Sequence, residues 1–353
     1  MLPKFTKLQD SFEAELKQRV NAYFNDNNLK STGNYKLWSK AIILMLAHLT
    51  IYIGLVFYTP TWPLAILMCI LLGLATSGIG FNVMHDGSHG SFSGNKTLNK
   101  FAGWSLDLFG GSSYMWKVKH NVAHHTFTNI HGADDDIQAE PFMRMCETQK
   151  LYKIHRFQHI YCILTYGLLY FLWVFFFDFK KYFTGMVGEV PVPKLSLKEN
   201  VIFWGSKVLF VFIAMWIPYT QVGFGPMMIG FLTYCFFTGV FIALVFQLAH
   251  VVEKAQFPQV PANGRIADEW AVHQLQTTVN FATNNRFWTW LLGGLNYQVE
   301  HHLFPMISHV HYPAISKIVK GTCADYDVVY NEYPRMSQAL VSHVRLLKQL
   351  GRG

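Results

Sequence analysis

This chain is short of charge. Asp, Glu, Lys and Arg make up 14% of its 353 residues, against about 25% in soluble domains. That shortage excludes an ordinary soluble protein. The 51% hydrophobic and 16% aromatic content that takes its place is a membrane composition. Cysteine is present but unorganised. Cys69, Cys146, Cys162, Cys235 and Cys323 are odd in number, widely spread and never form CxxC, so neither a disulfide framework nor a thiolate cluster is indicated. The chain has no internal repeat and no low-complexity tract. Its start, MLPKFTKLQDSFEAELKQRV, is polar and lacks the apolar core and cleavage site of a secretory signal. Orientation must then come from internal spans. The net charge of +8 does not indicate nucleic acid, because apolar runs interrupt every basic region; Lys and Arg gathered in cytoplasmic loops account for it.

Apolar runs at 38–58 and 62–84 are long enough to span, with only residues 59–61 between them. Further runs lie at 157–177, 201–217 and 224–249, the last ending at His250. Histidines follow the second run and lie beyond the last. If all three later runs crossed, these two sets would face opposite sides and share no site. The run 157–177 is therefore expected to be re-entrant or interfacial. The loop after it carries Lys180, Lys181, Lys194 and Lys198, which would otherwise sit outside, against the positive-inside rule. The expected fold is an all-α integral membrane protein with two transmembrane helical hairpins, or four crossings. Re-entrant or interfacial helices and a cytoplasmic helical cap complete it.

We read one domain, residues 1–353. It comprises an amphipathic segment (1–37), a membrane core with cytoplasmic loops (38–250) and a cytoplasmic C-terminal region (251–353). Phe5, Leu8, Phe12, Leu16 and Val20 recur at helical spacing and predict an amphipathic helix over 5–24, lying on the membrane or packed on the site. FWTWLLGGL at 287–295 is apolar but too short to span, which places it at the interface.

Histidine carries the chemistry. HDGSH (His85 to His89) ends the second run, HNVAHH (His120 to His125) follows, and QVEHH (Gln298 to His302) lies far downstream. Side chains four apart on a helix share a face, so His85 and His89 converge, as do His120 and His124, with His125 beside them. The spacing of Gln298 to His301 and His302 again selects one face. Histidine is 16 of 353 residues, so a specified three-histidine pattern is expected by chance roughly 0.03 times. Chance scatter is a poor explanation. Imidazole suits iron, copper, zinc and nickel. Seven histidines are too many for one four-coordinate zinc site and about right for two metals. A nitrogen-rich site at the ends of membrane spans suits oxidative attack on an unactivated C–H bond of an acyl chain.

HDGSH, HNVAHH and QVEHH resemble the three histidine boxes of the membrane-bound fatty acid desaturases. Gln298 in place of His makes the third box similar to that of the front-end group, which includes linoleoyl-CoA (delta-6-type) desaturases. HHTFTNIHGADDD and NYQVEHHLFP extend the likeness, which covers residues 34–312. The resemblance implies two non-haem irons held by His85, His89, His120, His124, His125, His301 and His302, with His250 as a further ligand. Gln298 would bind directly or through a water. Asp86 and Glu300 are either partners for ring N–H groups or surface residues. For Asp134, Asp135 and Asp136 the solvated-loop reading is favoured over the same role. His48 is read as a packing residue, and His155, His159 and His343 as surface or interfacial. His273 is left outside the ligand set, and His131, His309 and His311 are undecided.

The implied reaction is desaturation of an acyl-CoA or acyl-lipid, with O2 as co-substrate and two electrons. The sequence contains no HPGG haem motif, so the electrons are expected from a separate ferredoxin or cytochrome b5. Lys96, Lys100, Lys117, Lys119 and Arg144 would either dock that carrier or attract anionic headgroups. The short bacterial members are similar, so a bacterial inner membrane with a cytoplasmic active site is expected. A related lipid hydroxylase would use the same scaffold. A metal or proton transporter would place its sites at the bilayer midplane on broken helices, whereas these histidines stand at span ends.

Overall fold

In the computed structural model, which describes residues 2–6 and 11–353, the chain is mostly helical. Five helices are long and apolar enough to cross a membrane: Tyr35–Phe57, Trp62–His89, Lys153–Thr184, Leu197–Val222 and Phe224–His250. They are numbered first to fifth here. Local sequence sets their ends. Asn34 caps the first, its side chain accepting from Lys36 N at 3.0 Å. Pro63 stands in the first turn of the second, where its missing N–H costs nothing. Gly223, at φ +80°, breaks the fourth from the fifth in a conformation that glycine adopts freely.

The second helix does not stop at Met84. A π-helical turn over Gly80–Met84 carries it on through His85–His89, so HDGSH is the last turn of a membrane-length helix. The first helix packs antiparallel to it, with Leu44 against Gly78 and Gly54 against Met68. The second and fifth run parallel. Tyr234 bonds Thr76, Ser77 bonds the Thr238 carbonyl, and Phe81 shares a cluster with Val245 and Leu248. Both therefore end on the same side, at His85–His89 and at His250. Close approach between such helices favours small residues. A Cβ on Gly73 would lie 2.9 Å from Thr238 Oγ1 and 3.1 Å from Thr238 N.

The third helix is tied at both ends to segments near the histidines. At its start Gln158 bonds the Arg144 and Leu347 carbonyls. At its end Lys181 pairs with Asp135 at 3.1 Å, and Tyr182 bonds Asn200. Its middle touches the fifth helix, where Tyr170 meets Tyr234 at 3.1 Å.

A helical cap covers the histidine end. Phe12, Leu16, Val20 and Phe24 of the helix Phe12–Asp26 pack on Ala271, Leu275, Val299, Leu303 and Ile315. Burial of each large apolar side chain contributes roughly 1.5–3 kcal/mol. The helix predicted over 5–24 is thus shorter at its start. Ser11 caps it, accepting from Ala14 N, while Lys4–Phe5 pair with Arg265–Ile266 as a two-residue parallel bridge. Leu8 lies outside the described residues. In FWTWLLGGL the short helix Arg286–Leu291 leaves Phe287 and Trp290 exposed, while Leu292 and Leu295 are buried.

Candidate metal centre

Four elements bring the histidines together. The second helix delivers His85 and His89, and the fifth delivers His250. Residues 113–127 form one helical segment with a π-helical turn over Val118–His124. Its i+5 hydrogen bonding swings His125 as well as His124 toward His120. The short helix Gln298–Leu303 brings His301 and His302.

All eight histidines are buried, and their ligand atoms fall into two main groups within 4.8 Å, linked where His120 and His124 approach Asp136. His85, His89, His120 and His301 form one; His124, His250 and His302 form the other. His125 stands between them, beside His301 and His302. The Nε2 atoms of His85 and His125 each lie 3.2 Å from His120 Nε2. Gln298 is buried on the same short helix as His301 and His302, and its Nε2 has no hydrogen-bond partner.

Inner ring nitrogens are held by the protein. His124 Nδ1 lies 3.0 and 3.1 Å from the Asp134 oxygens, His302 Nδ1 2.8 Å from Gln274 Oε1, His301 Nδ1 3.2 Å from the Tyr312 hydroxyl and His250 Nδ1 3.3 Å from the Thr277 carbonyl. Such contacts fix the tautomer and leave Nε2 free as a donor to a metal. The Nε2 atoms of His89, His124, His250, His301 and His302 are buried with no partner. An unsatisfied buried polar group costs about 1–3 kcal/mol, so five converging on one volume do not fit a packing role. They fit nitrogen ligation of a metal ion. Burial, together with the neighbouring rings, holds His120, His125, His301 and His302 well below the usual imidazole pKa, so their lone pairs are available. For His124 burial also lowers the pKa, but Asp134 and Asp136 outweigh it and the net shift is upward.

Behind the rings lies a polar support layer, much of it invisible to sequence reasoning. Asp134 is buried, not solvated; its oxygens accept from Asn129 N and Asp136 N as well as facing His124. Asn129, at φ +59°, donates to the His250, Gln256 and Thr277 carbonyls. Glu300 is buried and accepts from Asn280 at 2.7 Å and Tyr330 at 2.8 Å; burial pushes its pKa up to about 7. Asp86 accepts from Ser308 and His309. His155 and His343 are also buried, contrary to the surface expectation, because each faces a distant carbonyl, of Pro141 and Val251 respectively. Two of the expected docking cations are structural. Lys119 pairs with Asp136 at 2.6 Å, and Arg144 donates to the Gln149, Glu147 and Leu350 carbonyls. Lys96, Lys100 and Lys117 remain exposed.

A narrow apolar cleft leads away from the histidines. It starts at His85 and follows the second helix past Met84, Gly80 and Thr76, with Leu106 and Phe246 opposite. Phe109 separates it from a wider apolar cavity of about 740 Å³ between the first, second, fourth and fifth helices.

The sequence model of the fatty acid desaturase family matches residues 60–334. An sn-1 linoleoyl-lipid 6-desaturase of Synechocystis sp. is 35% identical, covering 99% of this chain and 98% of the relative. An acyl-lipid (8-3)-desaturase of Physcomitrium patens is 36% identical over 97% of this chain and 72% of its own length. A probable Delta(5) fatty acid desaturase C of Dictyostelium discoideum is 30% identical over 99% and 78%. With that likeness running through all three histidine boxes and the helices that deliver them, the chain belongs to the fatty acid desaturase family and is an oxidoreductase of lipid metabolism.

Proposed function

We propose that this chain is a front-end acyl-lipid desaturase whose two irons are held by His85, His89, His120, His124, His125, His250, His301 and His302. The observation that carries the reading is the convergence of eight buried histidines, with an apolar cleft of about 40 Å³ opening at His85 along the second helix. An acyl chain that widened this cleft on entry would pass its carbons beside the metal-binding nitrogens. Bound iron supplies the activation of O2 that removes two hydrogens, with two electrons from a donor and two protons completing the reduction of O2 to water. The chain's own residues orient the imidazoles through Asp134, Gln274, Thr277 and Tyr312, and the cleft excludes water. Gln298 would act on a metal directly or through a water. The front-end assignment draws on Gln298 and on relatives named as linoleoyl-lipid 6- and (8-3)-desaturases.

Four crossings with the chemistry on the cytoplasmic side remain the topology we favour, in a bacterial inner membrane. Support comes from the parallel second and fifth helices and from the third helix, whose two ends contact segments on the histidine side. Exposed Lys96, Lys100 and Lys117 would meet a separate acidic ferredoxin or cytochrome b5. The single domain keeps its membrane core at 38–250 and its cytoplasmic region at 251–353.

The test is expression in a host of known lipid composition fed linoleate, with the new double bond located by mass spectrometry. A bond on the carboxyl side of the existing pair is expected. Desaturation of a saturated chain near its middle, with linoleate untouched, overturns the front-end reading.

A further inference from the structure

Lys40 is an ammonium in the second turn of an apolar helix, and only 5% of it is exposed. A buried charge is costly unless it is paired and hydrogen-bonded. No carboxylate touches Lys40 among the described residues. Its Nζ instead donates to the Trp290 carbonyl at 3.1 Å and to His309 Nε2 at 2.9 Å. The opposite nitrogen of the same ring, Nδ1, donates to Asp86 Oδ2 at 3.0 Å. A buried ammonium and a buried carboxylate are therefore joined through one imidazole, whose tautomer the two contacts fix. The Ser308 hydroxyl donates to the same Oδ2 at 2.8 Å. With Oδ2 engaged twice, Oδ1 is left facing His85, 3.9 Å from its Nδ1. His85 Nδ1 has no other partner, while its Nε2 belongs to the first histidine group.

We propose that Lys40 and His309 are positioning residues for that first group: they hold the Asp86 side chain in one orientation against His85. The chain Lys40–His309–Asp86 joins the first membrane helix and the segment after the third box to the last turn of the second helix. The second group has its own charged support, Lys119 on Asp136 at 2.6 Å and Asp136 3.3 Å from His124 Nδ1, beside Asp134, Gln274 and Thr277; among the described residues neither Lys40 nor His309 touches it. Loss of the Lys40 charge should therefore weaken one iron and spare the other. This inference rests on the proposed metal assignment.

The test uses the full chain in detergent, stripped of metal and titrated anaerobically with Fe(II) by calorimetry. The unaltered protein should bind in two steps, and His89→Ala marks the step that belongs to the first group. Lys40→Met should weaken that step by about 10–100-fold, the usual effect of removing an outer partner of a ligand, and leave the other unchanged. His309→Gln, which lacks a ring to bridge ammonium and carboxylate, should weaken the same step and serves if Lys40→Met does not fold. Two unchanged steps in the variants overturn the inference. So does equal weakening of both, which marks a general loss of packing. Absence of any iron step in the unaltered protein sinks the metal assignment instead.

Discussion

The two histidine groups are built to different standards of support. In the group of His124, His250 and His302 every ring has its Nδ1 engaged, by a carboxylate, a carbonyl or an amide oxygen. In the group of His85, His89, His120 and His301, among the described residues, only His301 has a hydrogen bond at Nδ1, to the Tyr312 hydroxyl. His120 is oriented by packing, stacked on Trp116 at 4.3 Å, and His85 has only the 3.9 Å approach of Asp86. One group is preset by directional bonds. The other depends on shape and on charge held at a distance. Directional bonds resist rotation of a ring more than apolar contact does, so the first group should lose its metal more readily.

The most severe way to break this comparison is to remove a ring. His302→Ala and His89→Ala should each reduce desaturation to background and lower iron per chain, while His48→Ala, which alters the wall of the outer cavity and a ring contact with Phe109, leaves both near normal. Product analysis with iron determination checks this; a fully active, fully loaded His302→Ala protein would remove the second group from the site. Next in size is the support layer. Asp134→Asn keeps the shape but removes the nearer of the two carboxylates behind His124, leaving Asp136, and should weaken one iron by about 10–100-fold. Tyr312→Phe removes a single neutral contact worth about 1 kcal/mol, and should cost no more than about fivefold. Iron titration that ranks the two variants in reverse order would mean that directional bonding does not set the difference. The smallest expected effect on iron is at Gln298. Gln298→Ala should lower turnover by about tenfold and keep the iron, and Gln298→His should keep the iron with some turnover. Loss of iron in the alanine variant would make Gln298 a ligand of the same rank as the histidines.

The rings themselves were legible because a four-residue step on a helix is a local signal. His85 and His89 announce one face without any knowledge of the fold. Their supports were not legible, because a lone Lys40 in an apolar run or a lone Gln274 in a short helix has no periodic signature. The Lys40 partner His309 is 269 positions away. For Asp134 the solvated-loop reading is favoured over a supporting role because three adjacent carboxylates ordinarily face water. Asp134 is buried because Asn129 adopts a positive φ and turns the loop back on His250. Span positions followed from apolar length, and the third run was singled out from the others by charge and parity. Its contacts at both ends, such as the pairing of Lys181 with Asp135, come from residues distant in sequence and have no signature in the run itself.

The parallel seam between the second and fifth helices also works as a ruler. Its graduations are Gly73 against Thr238, Ser77 against the Thr238 carbonyl, and Phe81 among Val245 and Leu248. One residue inserted in a helix turns everything beyond it by about 100° and advances it about 1.5 Å. Added between Ser77 and His85, a single residue would point His85 and His89 away from His120 and His301 without altering one ligand. Between the first and second helices, at residues 59–61, the same insertion would fall in the connecting turn and leave the seam in register. Length variation in relatives of this chain should therefore gather in the turns and be absent from the two intervals that count residues down to a histidine.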